Sequence, residues 1–129
     1  MREMLTSCKT VAVVGISSKE DRPSYIVAAY LKSKGYRIIP VRPDGGEILG
    51  EKVYPSLMEI PKEIEIDVVD VFRKSEDVPP VVEEATRRGA KMIWMQEGII
   101  NLEAEAKAEK AGLKVVMDRC MKKEHQRLL

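Results

Sequence analysis

A short apolar run near the start of the chain ends in a glycine, and a polar loop follows it. The run is Thr10–Val14, the glycine is Gly15, and the loop carries the hydroxyls of Ser17 and Ser18. A strand, a glycine turn and a polar loop in this order are typical of the phosphate-binding corner of α/β folds. Hydroxyl and backbone N–H groups there can bind the oxygens of a phosphate. An ordinary turn is the alternative interpretation of Gly15 alone.

A basic residue and a proline mark the start of a helical pattern directly after this loop. Arg22 precedes Pro23 and Ser24. Proline is favoured in the first helical turn because the N–H group that it lacks would have no acceptor there. The remaining N–H groups of that turn would point at a bound anion, and Arg22 would add a positive charge. Because only one glycine of the pattern G-x-G-x-x-G is present, the loop is not a dinucleotide fingerprint.

Apolar, β-rich runs recur along the chain, and helical patterns separate most of them. Continuous apolar runs are typical of strands that are buried on both faces, and their alternation with helices predicts a mainly parallel sheet. Right-handed crossovers would then give an α/β fold with a three-layer, doubly wound (Rossmann-like) sheet in a single domain, residues 1–129. The predicted strands are Thr10–Val14, Arg37–Val41, Asp67–Phe72, Lys91–Gln96 and Leu113–Met117, and the predicted helices are Pro23–Lys34, Ser75–Arg88, Leu102–Ala111 and Cys120–Leu129.

The residues just after the predicted strands are the candidate binding residues, because ligands of doubly wound sheets bind beyond the carboxyl ends of the strands. Most of these segments carry a cationic side chain, a glycine or both, which favours an anionic ligand over ordinary loop polarity. The segments are Gly15–Ser18, Arg42-Pro43, Arg73-Lys74, Glu97-Gly98-Ile99 and Asp118-Arg119-Cys120.

The second predicted strand is followed by Arg42, where an NAD-binding fold normally carries an acidic residue for the ribose hydroxyls. A guanidinium there suits a phosphorylated ribose, as in NADP or coenzyme A, because it can hold a phosphate through two parallel hydrogen bonds. Pro43 would stiffen the turn and offer an apolar surface to adenine. A solvated surface arginine is the alternative interpretation of Arg42.

No catalytic arrangement is evident among the nucleophilic and titratable residues. Cys120 lies at the predicted end of the last strand, where Arg119 would lower its pKa if both line the site, although a free thiol is often an inert part of the core. There is no Ser-His-Asp arrangement, and His125 is expected at the surface or in the tail. A buried Asp70 would need polar partners. Two scattered cysteines and one histidine do not form a zinc site, so no metal is expected.

Composition narrows the possible partners. The net charge of +1 removes the usual electrostatic argument for nucleic acid. No run approaches the roughly 18 apolar residues of a membrane span, and the N-terminus lacks the apolar core of a signal peptide. With only Cys8 and Cys120, the chain is expected in the cytoplasm with both thiols reduced.

A series of short motifs runs in order through the chain, from about Thr10 to the C-terminus. The motifs are Val13–Ser17, Arg22–Tyr25, Gly35–Val41, Ile48–Gly50, Tyr54–Leu57, Asp70–Arg73, Gly89–Lys91, Gln96–Ile99 and Met117–Met121. Each motif is short, but the ordered set is specific. It resembles the small, single-domain CoA-binding proteins, which are similar to the CoA-binding domain of the succinyl-CoA synthetase α subunit.

The resemblance implies a Rossmann-like fold with coenzyme A, or an acyl-CoA, lying across the strand ends. It implies that the first loop and the start of the first helix bind phosphates, and that the end of the second strand holds the adenosine with its 3′-phosphate. The ends of the third and fourth strands would line the pantetheine arm, and the last strand end would lie near the thiol. The implied binding residues are Gly15, Ile16, Ser17, Ser18, Arg22, Pro23, Ser24, Val41, Arg42, Pro43, Phe72, Arg73, Gln96, Glu97, Gly98, Ile99, Arg119 and Cys120.

The resemblance favours binding over catalysis, because these residues include no counterpart of the synthetase's phosphohistidine domain or of its β subunit's nucleotide-grasp region. Arg42 also stands where the family frequently carries asparagine. One alternative is an NADP-dependent oxidoreductase, which the missing glycines disfavour. A second is a redox module in which Cys120 forms a disulfide with the CoA thiol. A third is an interaction protein that forms homo-oligomers or binds an unknown protein partner.

Overall fold

A five-stranded parallel sheet forms the centre of the protein, whose computed structural model describes residues 1–129. The strands, in chain order, are β1 (Thr10–Val14), β2 (Arg37–Val41), β3 (Glu47–Ile48), β4 (Glu51–Lys52), β5 (Val68–Val71), β6 (Met92–Met95) and β7 (Lys114–Val116). The sheet has the order β2-β1-β5-β6-β7, and β3 pairs with β4 in a separate antiparallel hairpin. Because β1 lies between β2 and β5, the chain order reverses between β1 and β5, which makes this the switch point of the sheet.

Helices cover both faces of the sheet. They are, in chain order, α1 (Arg2–Ser7), α2 (Pro23–Ser33), α3 (Val78–Arg87), α4 (Leu102–Lys110) and α5 (Met121–Leu128). Helices α3 and α4 pack on one face, and α1, α2 and α5 pack on the other. Every residue of β5 and β6 is therefore buried, which explains why β6 is a continuous apolar run and why β5 is apolar except for Asp70. The predicted three-layer, doubly wound α/β fold is confirmed. All five helices are too short or too polar to cross a lipid bilayer.

The structure differs from the predicted elements at the ends of the chain and before α3. The sequence pattern does not predict α1, because a six-residue helix with Leu5 as its one buried side chain has no visible periodicity. A 3-10 turn spans Ser75–Asp77 before α3 begins at Val78, and the Ser75 hydroxyl accepts a hydrogen bond from the Ile100 N–H group at 3.1 Å instead of capping α3.

His125 is not a free tail residue. Its Nδ1 atom lies 2.7 Å from the hydroxyl of Tyr30 on α2, and its ring packs edge-on against Tyr36. This contact fixes α5 against α2, and burial lowers the pKa of His125. The sequence predicts the terminal helix but not this contact, because the contact joins elements far apart in the chain.

Candidate functional site

A cleft of about 590 Å³ opens at the carboxyl ends of the central strands, above the switch point of the sheet. Its position follows the rule for ligand sites in doubly wound folds, and small-molecule sites typically span roughly 300–1,000 Å³. The lining residues are Gly15, Ser17, Lys19, Arg22, Pro23, Ser24, Val27, Phe72, Arg73, Gln96, Glu97, Ile99 and Cys120.

Gly15 ends β1 and lets the following loop lie close over the end of β5. Its φ of +86° is in the left-handed region, and its N–H group donates to the carbonyl oxygen of Val41 at 2.9 Å. A Cβ atom at this position would overlap the carbonyl oxygen of Phe72 and lie 3.0 Å from its carbonyl carbon. Both the backbone conformation and the close approach therefore require glycine.

The donors available to the cleft here are the Ser17 and Ser24 hydroxyls and the first N–H groups of α2, because two N–H groups of the preceding loop are already engaged. The N–H group of Ser17 donates to the Ser24 hydroxyl at 2.9 Å, and that of Lys19 donates to the Ser17 hydroxyl at 3.1 Å. No side chain caps α2, which begins at Pro23. The N–H groups of Ser24 and Tyr25 in its first turn consequently have no acceptor within the helix. Such groups, together with the positive end of the helix dipole, can bind an anion.

Three cationic side chains of the cleft have no acidic partner. Lys19, Arg22 and Arg73 line it and form no salt bridge. The carboxylate of Glu97, which also lines the cleft, is engaged by the Lys123 ammonium at 2.9 Å. This hydrogen bond raises the pKa of Lys123. An anion that enters the cleft thus meets positive charge that the protein has not neutralised.

Arg119 lies outside the cleft, although its neighbour Cys120 lines it. The Arg119 carbonyl oxygen accepts a hydrogen bond from Trp94 Nε1 at 2.7 Å, and its guanidinium lies 3.1 Å from Glu124. Hydrogen bonds from Arg127 and Arg119 lower the pKa of Glu124 against the opposing effect of burial. Arg119 therefore links β6 to α5, and of this predicted pair only the half-buried thiol of Cys120 reaches the cleft.

Gln96 and Asp70 form a buried hydrogen-bonded pair at the floor of the cleft. Gln96 lines the cleft and is 3% exposed, whereas Asp70, in the middle of β5, has no exposed surface. Gln96 Nε2 donates to Asp70 Oδ1 at 2.6 Å, and Asp70 Oδ2 has no hydrogen-bond partner. Burial raises the pKa of Asp70 to about 7, so its protonated and ionised forms coexist near neutral pH.

The end of β2 lies beside the cleft rather than in it. Val41 is buried and borders a second cavity of about 210 Å³ on the α3 side of the sheet. The N–H group of Arg42 donates to the Tyr54 carbonyl oxygen at 3.0 Å, and its Nε atom is buried without an acceptor. Pro43 is exposed. Arg73 lines both cavities and thus connects the end of β2 with the cleft.

Three other residues that the resemblance implies do not line the cleft. Ile16 is buried in the core on the α2 side of the sheet, and Ser18 is exposed. The N–H group of Gly98 donates to Asp118 Oδ1 at 2.7 Å, which ties the loop after β6 to the loop after β7. Gly98 therefore shapes the rim, with its donor already occupied.

Sequence reasoning missed two lining residues, Lys19 and Val27. Lys19 lies in the same polar loop as Ser17, so its charge was a usable signal. Val27 follows Pro23 by four positions, which places both on one side of α2. Val27 also belongs to the core on the α2 side of the sheet, and only the position of the helix start shows that it faces the cleft as well.

The fold and the position of its cleft define a doubly wound α/β domain with a ligand site of the Rossmann-like kind. A family model described as a CoA binding domain matches residues 9–126 of the chain. The protein therefore belongs to the CoA-binding domain family. The family resemblance inferred from the sequence motifs is confirmed by this match.

Relatives of two kinds share the sequence. The chain is 42% identical over 125 residues to the uncharacterized protein YneT of Bacillus subtilis, covering 97% of this chain and 91% of that protein. It is 39% identical over 97 residues to subunit α of an ADP-forming acetate–CoA ligase I of Pyrococcus furiosus, covering 70% of this chain and 21% of that subunit. The chain thus spans about a fifth of the ligase subunit.

The fold has a solved counterpart in a hypothetical protein from Pyrococcus horikoshii OT3. The two structures agree with a TM-score of 0.94 at 46% sequence identity, covering 98% of this chain and 88% of that one. The two chains therefore share the fold over nearly their whole length.

Proposed function

We propose that the cleft binds coenzyme A or an acyl-CoA, and that the protein acts as a binding module without a catalytic step of its own. The observation that carries this proposal is the unneutralised charge of Lys19, Arg22 and Arg73 around the cleft, together with the uncapped start of α2. Coenzyme A carries a diphosphate and a 3′-phosphate, which these groups can bind through charge-assisted hydrogen bonds. Membership of the CoA-binding domain family supports the same ligand.

The order of the strand ends supports one direction for the ligand. The donors of the β1 loop lie at one side, and the ends of β5, β6 and β7 follow along the sheet edge. Neighbouring strands are about 4.8 Å apart, so the edge from β1 to β7 spans roughly 14 Å. In the proposed arrangement the phosphates lie at the β1 loop, the pantetheine arm crosses Phe72 and Ile99, and the thiol lies near Cys120.

The adenosine end is proposed to lie towards the end of β2, where Arg42 would meet the 3′-phosphate. Arg42 is partly exposed and forms no salt bridge, so its guanidinium is available to bind an anion. Arg73, which lines both the cleft and the second cavity, would then face the diphosphate.

The two free cysteines support the cytoplasmic location that is expected from the sequence.

Calorimetric titration of the purified protein with coenzyme A, dephospho-CoA and NADP tests the proposal. We expect the tightest binding for coenzyme A, weaker binding for dephospho-CoA, and the weakest for NADP, which lacks the pantetheine arm. Tighter binding of NADP than of coenzyme A would replace this proposal by the oxidoreductase alternative. Absence of binding to all three ligands would contradict both.

A second candidate function is redox regulation through Cys120, and the position of its free thiol in the cleft favours it. The Cys120 thiolate would attack one sulfur of CoA disulfide, form a disulfide with that CoA, and release the other as a thiolate. No additional oxidant is needed. Intact-mass spectrometry after incubation with CoA disulfide should show one added CoA.

Cys120→Ser provides the control for the redox candidate, because Cys8 remains as the second thiol of the chain. Burial raises the pKa of Cys8, which disfavours its reaction. The added mass should disappear in Cys120→Ser and persist in Cys8→Ser. An unmodified wild-type protein that still binds coenzyme A would eliminate the redox candidate and leave the binding proposal intact.

A further inference from the structure

The hydrogen bond between Asp70 and Gln96 orients the carboxamide of Gln96 at the floor of the cleft. Asp70 is the register partner of Trp94 on β6, and Gln96 follows Trp94 by two positions. Because successive side chains alternate between the faces of a strand, Asp70 and Gln96 belong to the same face, which is the face that α2 covers. The Gln96 backbone is also held, since its N–H group donates to Val71 at 3.4 Å and its carbonyl oxygen accepts from Ile99 at 3.0 Å.

The chemistry of Asp70 determines which end of the Gln96 carboxamide faces it. An ionised carboxylate accepts hydrogen bonds only, so the carboxamide must turn its NH2 group towards Asp70. A carboxyl group that is protonated on Oδ2 still accepts through Oδ1. The ionised form of Asp70 therefore fixes the orientation of Gln96, and the form that is protonated on Oδ2 is compatible with the same orientation.

The oxygen of the Gln96 carboxamide remains free to accept a hydrogen bond from a ligand in the cleft. Gln96 Oε1 receives no hydrogen bond from the protein, and the only buried unpartnered side-chain polar atoms are Arg42 Nε and Asp70 Oδ2. Gln96 Oε1 is consequently accessible, and since Gln96 lines the cleft, it is reached from there. The site thus offers a fixed acceptor on β6, two strands away from the cationic loop that follows β1.

We propose that Asp70 is a positioning residue, which holds Gln96 Oε1 towards the cleft as the acceptor for an amide N–H group of the ligand. This inference rests on the proposed function, because the pantetheine arm of coenzyme A carries two amide N–H donors beyond its diphosphate. The distance of two strands from the phosphate loop, roughly 10 Å, places this acceptor along the arm rather than at the nucleotide. The pair would thereby distinguish ligands that carry an amide arm from simple nucleotides.

The test compares Asp70→Asn with the wild-type protein against two probes, coenzyme A and adenosine 3′,5′-bisphosphate, which has the phosphates but no amide arm. An asparagine can turn either its oxygen or its NH2 group towards Gln96, so the carboxamide loses its single orientation. We expect Asp70→Asn to weaken coenzyme A binding by about three- to tenfold, the range of one neutral hydrogen bond. Binding of the bisphosphate should be unchanged.

A double-mutant cycle separates positioning from a general structural effect. Gln96→Met removes the acceptor at similar volume, and it should also weaken coenzyme A binding without affecting the bisphosphate. If Asp70 acts only through Gln96, Asp70→Asn adds no further loss in the Gln96→Met background. Equal losses for both probes, additive losses in the double variant, or an unchanged affinity of Asp70→Asn for coenzyme A would overturn the inference.

The outcomes also distinguish this inference from the proposed function. A wild-type protein that binds neither probe contradicts the proposed function, and the inference fails with it. A wild-type protein that binds coenzyme A, combined with variants that do not discriminate between the probes, contradicts the role of Asp70 alone. Melting temperatures of the variants verify that each is folded.

Discussion

The backbone carbonyl group of Phe72, at the end of β5, lies directly against the Cα atom of Gly15, at the end of β1. This contact leaves no room for a Cβ atom. The two strands flank the switch point, and their ends form the edge over which the cleft opens. Gly15, which has no side chain, therefore determines how closely the loop after β1 approaches the end of β5.

Gly15→Ala should destabilise the protein more than a comparable change at another glycine. Gly89 is the matched control, because its φ of +71° is also left-handed while a Cβ atom there would meet nothing within 4 Å. The control isolates the conformational cost, about 1–2 kcal/mol. Urea unfolding should show a larger loss for Gly15→Ala, since displacement of the Phe72 carbonyl adds to it. Equal losses would show that the loop moves away without cost.

Arg73→Ala should weaken coenzyme A binding by about tenfold or more, because a charge-assisted hydrogen bond contributes about 1.5–3 kcal/mol. Arg87→Ala is the matched control: Arg87 is an exposed arginine at the end of α3 that does not line the cleft. Calorimetric titration at low and high salt should show that the effect of Arg73→Ala shrinks as salt rises. An equal effect of the two substitutions would mean that Arg73 acts only through the overall electrostatic potential of the protein and does not contact the ligand.

Arg42→Ala tests the placement of the adenosine end. A contact with the 3′-phosphate predicts a loss of about 1.5–3 kcal/mol in coenzyme A binding and a smaller loss for dephospho-CoA, which lacks that phosphate. Competition titrations with both ligands measure the two losses in one experiment. Equal losses for the two ligands would place Arg42 away from the 3′-phosphate.

The sheet and the first loop are the parts that the sequence predicts well, because their signals are local. Burial on both faces makes β6 a continuous apolar run and β5 apolar except for Asp70. Gly15 and Pro23 mark the turn and the helix start by their own backbone chemistry. These signals depend on the residue itself and a few neighbours. The position of the cleft then follows from the topology.

The parts that could not be predicted depend on how separate elements pack against one another, and some of the contacts join residues far apart in the chain. Asp70 and Gln96 are 26 positions apart, and nothing in either segment indicates that they meet. Arg119 has the residue type of a site cation, but Glu124 on α5 engages it. Which charges remain unneutralised is decided by the packing of whole helices, so the sequence cannot distinguish Arg73 from Arg119.

The buried carboxyl of Asp70 should make stability fall as pH rises. Burial raises its pKa from 3.8 to about 7, so between these values the folded protein holds a proton that the unfolded chain has released. Stability is then lost by up to about 1.4 kcal/mol per pH unit across this window and is level above it. Urea unfolding of wild-type protein and Asp70→Asn at a series of pH values measures this contribution as their difference.

Taking the difference between the two proteins removes the other titrating groups. Asp67, for example, is buried, yet hydrogen bonds from the N–H groups of Lys9 and Thr10 and the contact with Lys91 lower its pKa overall. Its contribution has the opposite sign and lies below the window of Asp70, and it is common to both proteins. The stability of Asp70→Asn relative to wild type should therefore increase from acidic to neutral pH. A difference that does not change with pH would mean that the Asp70 carboxyl is ionised in the folded protein as it is in the unfolded chain, and that Oδ2 has a partner that stabilises the charge.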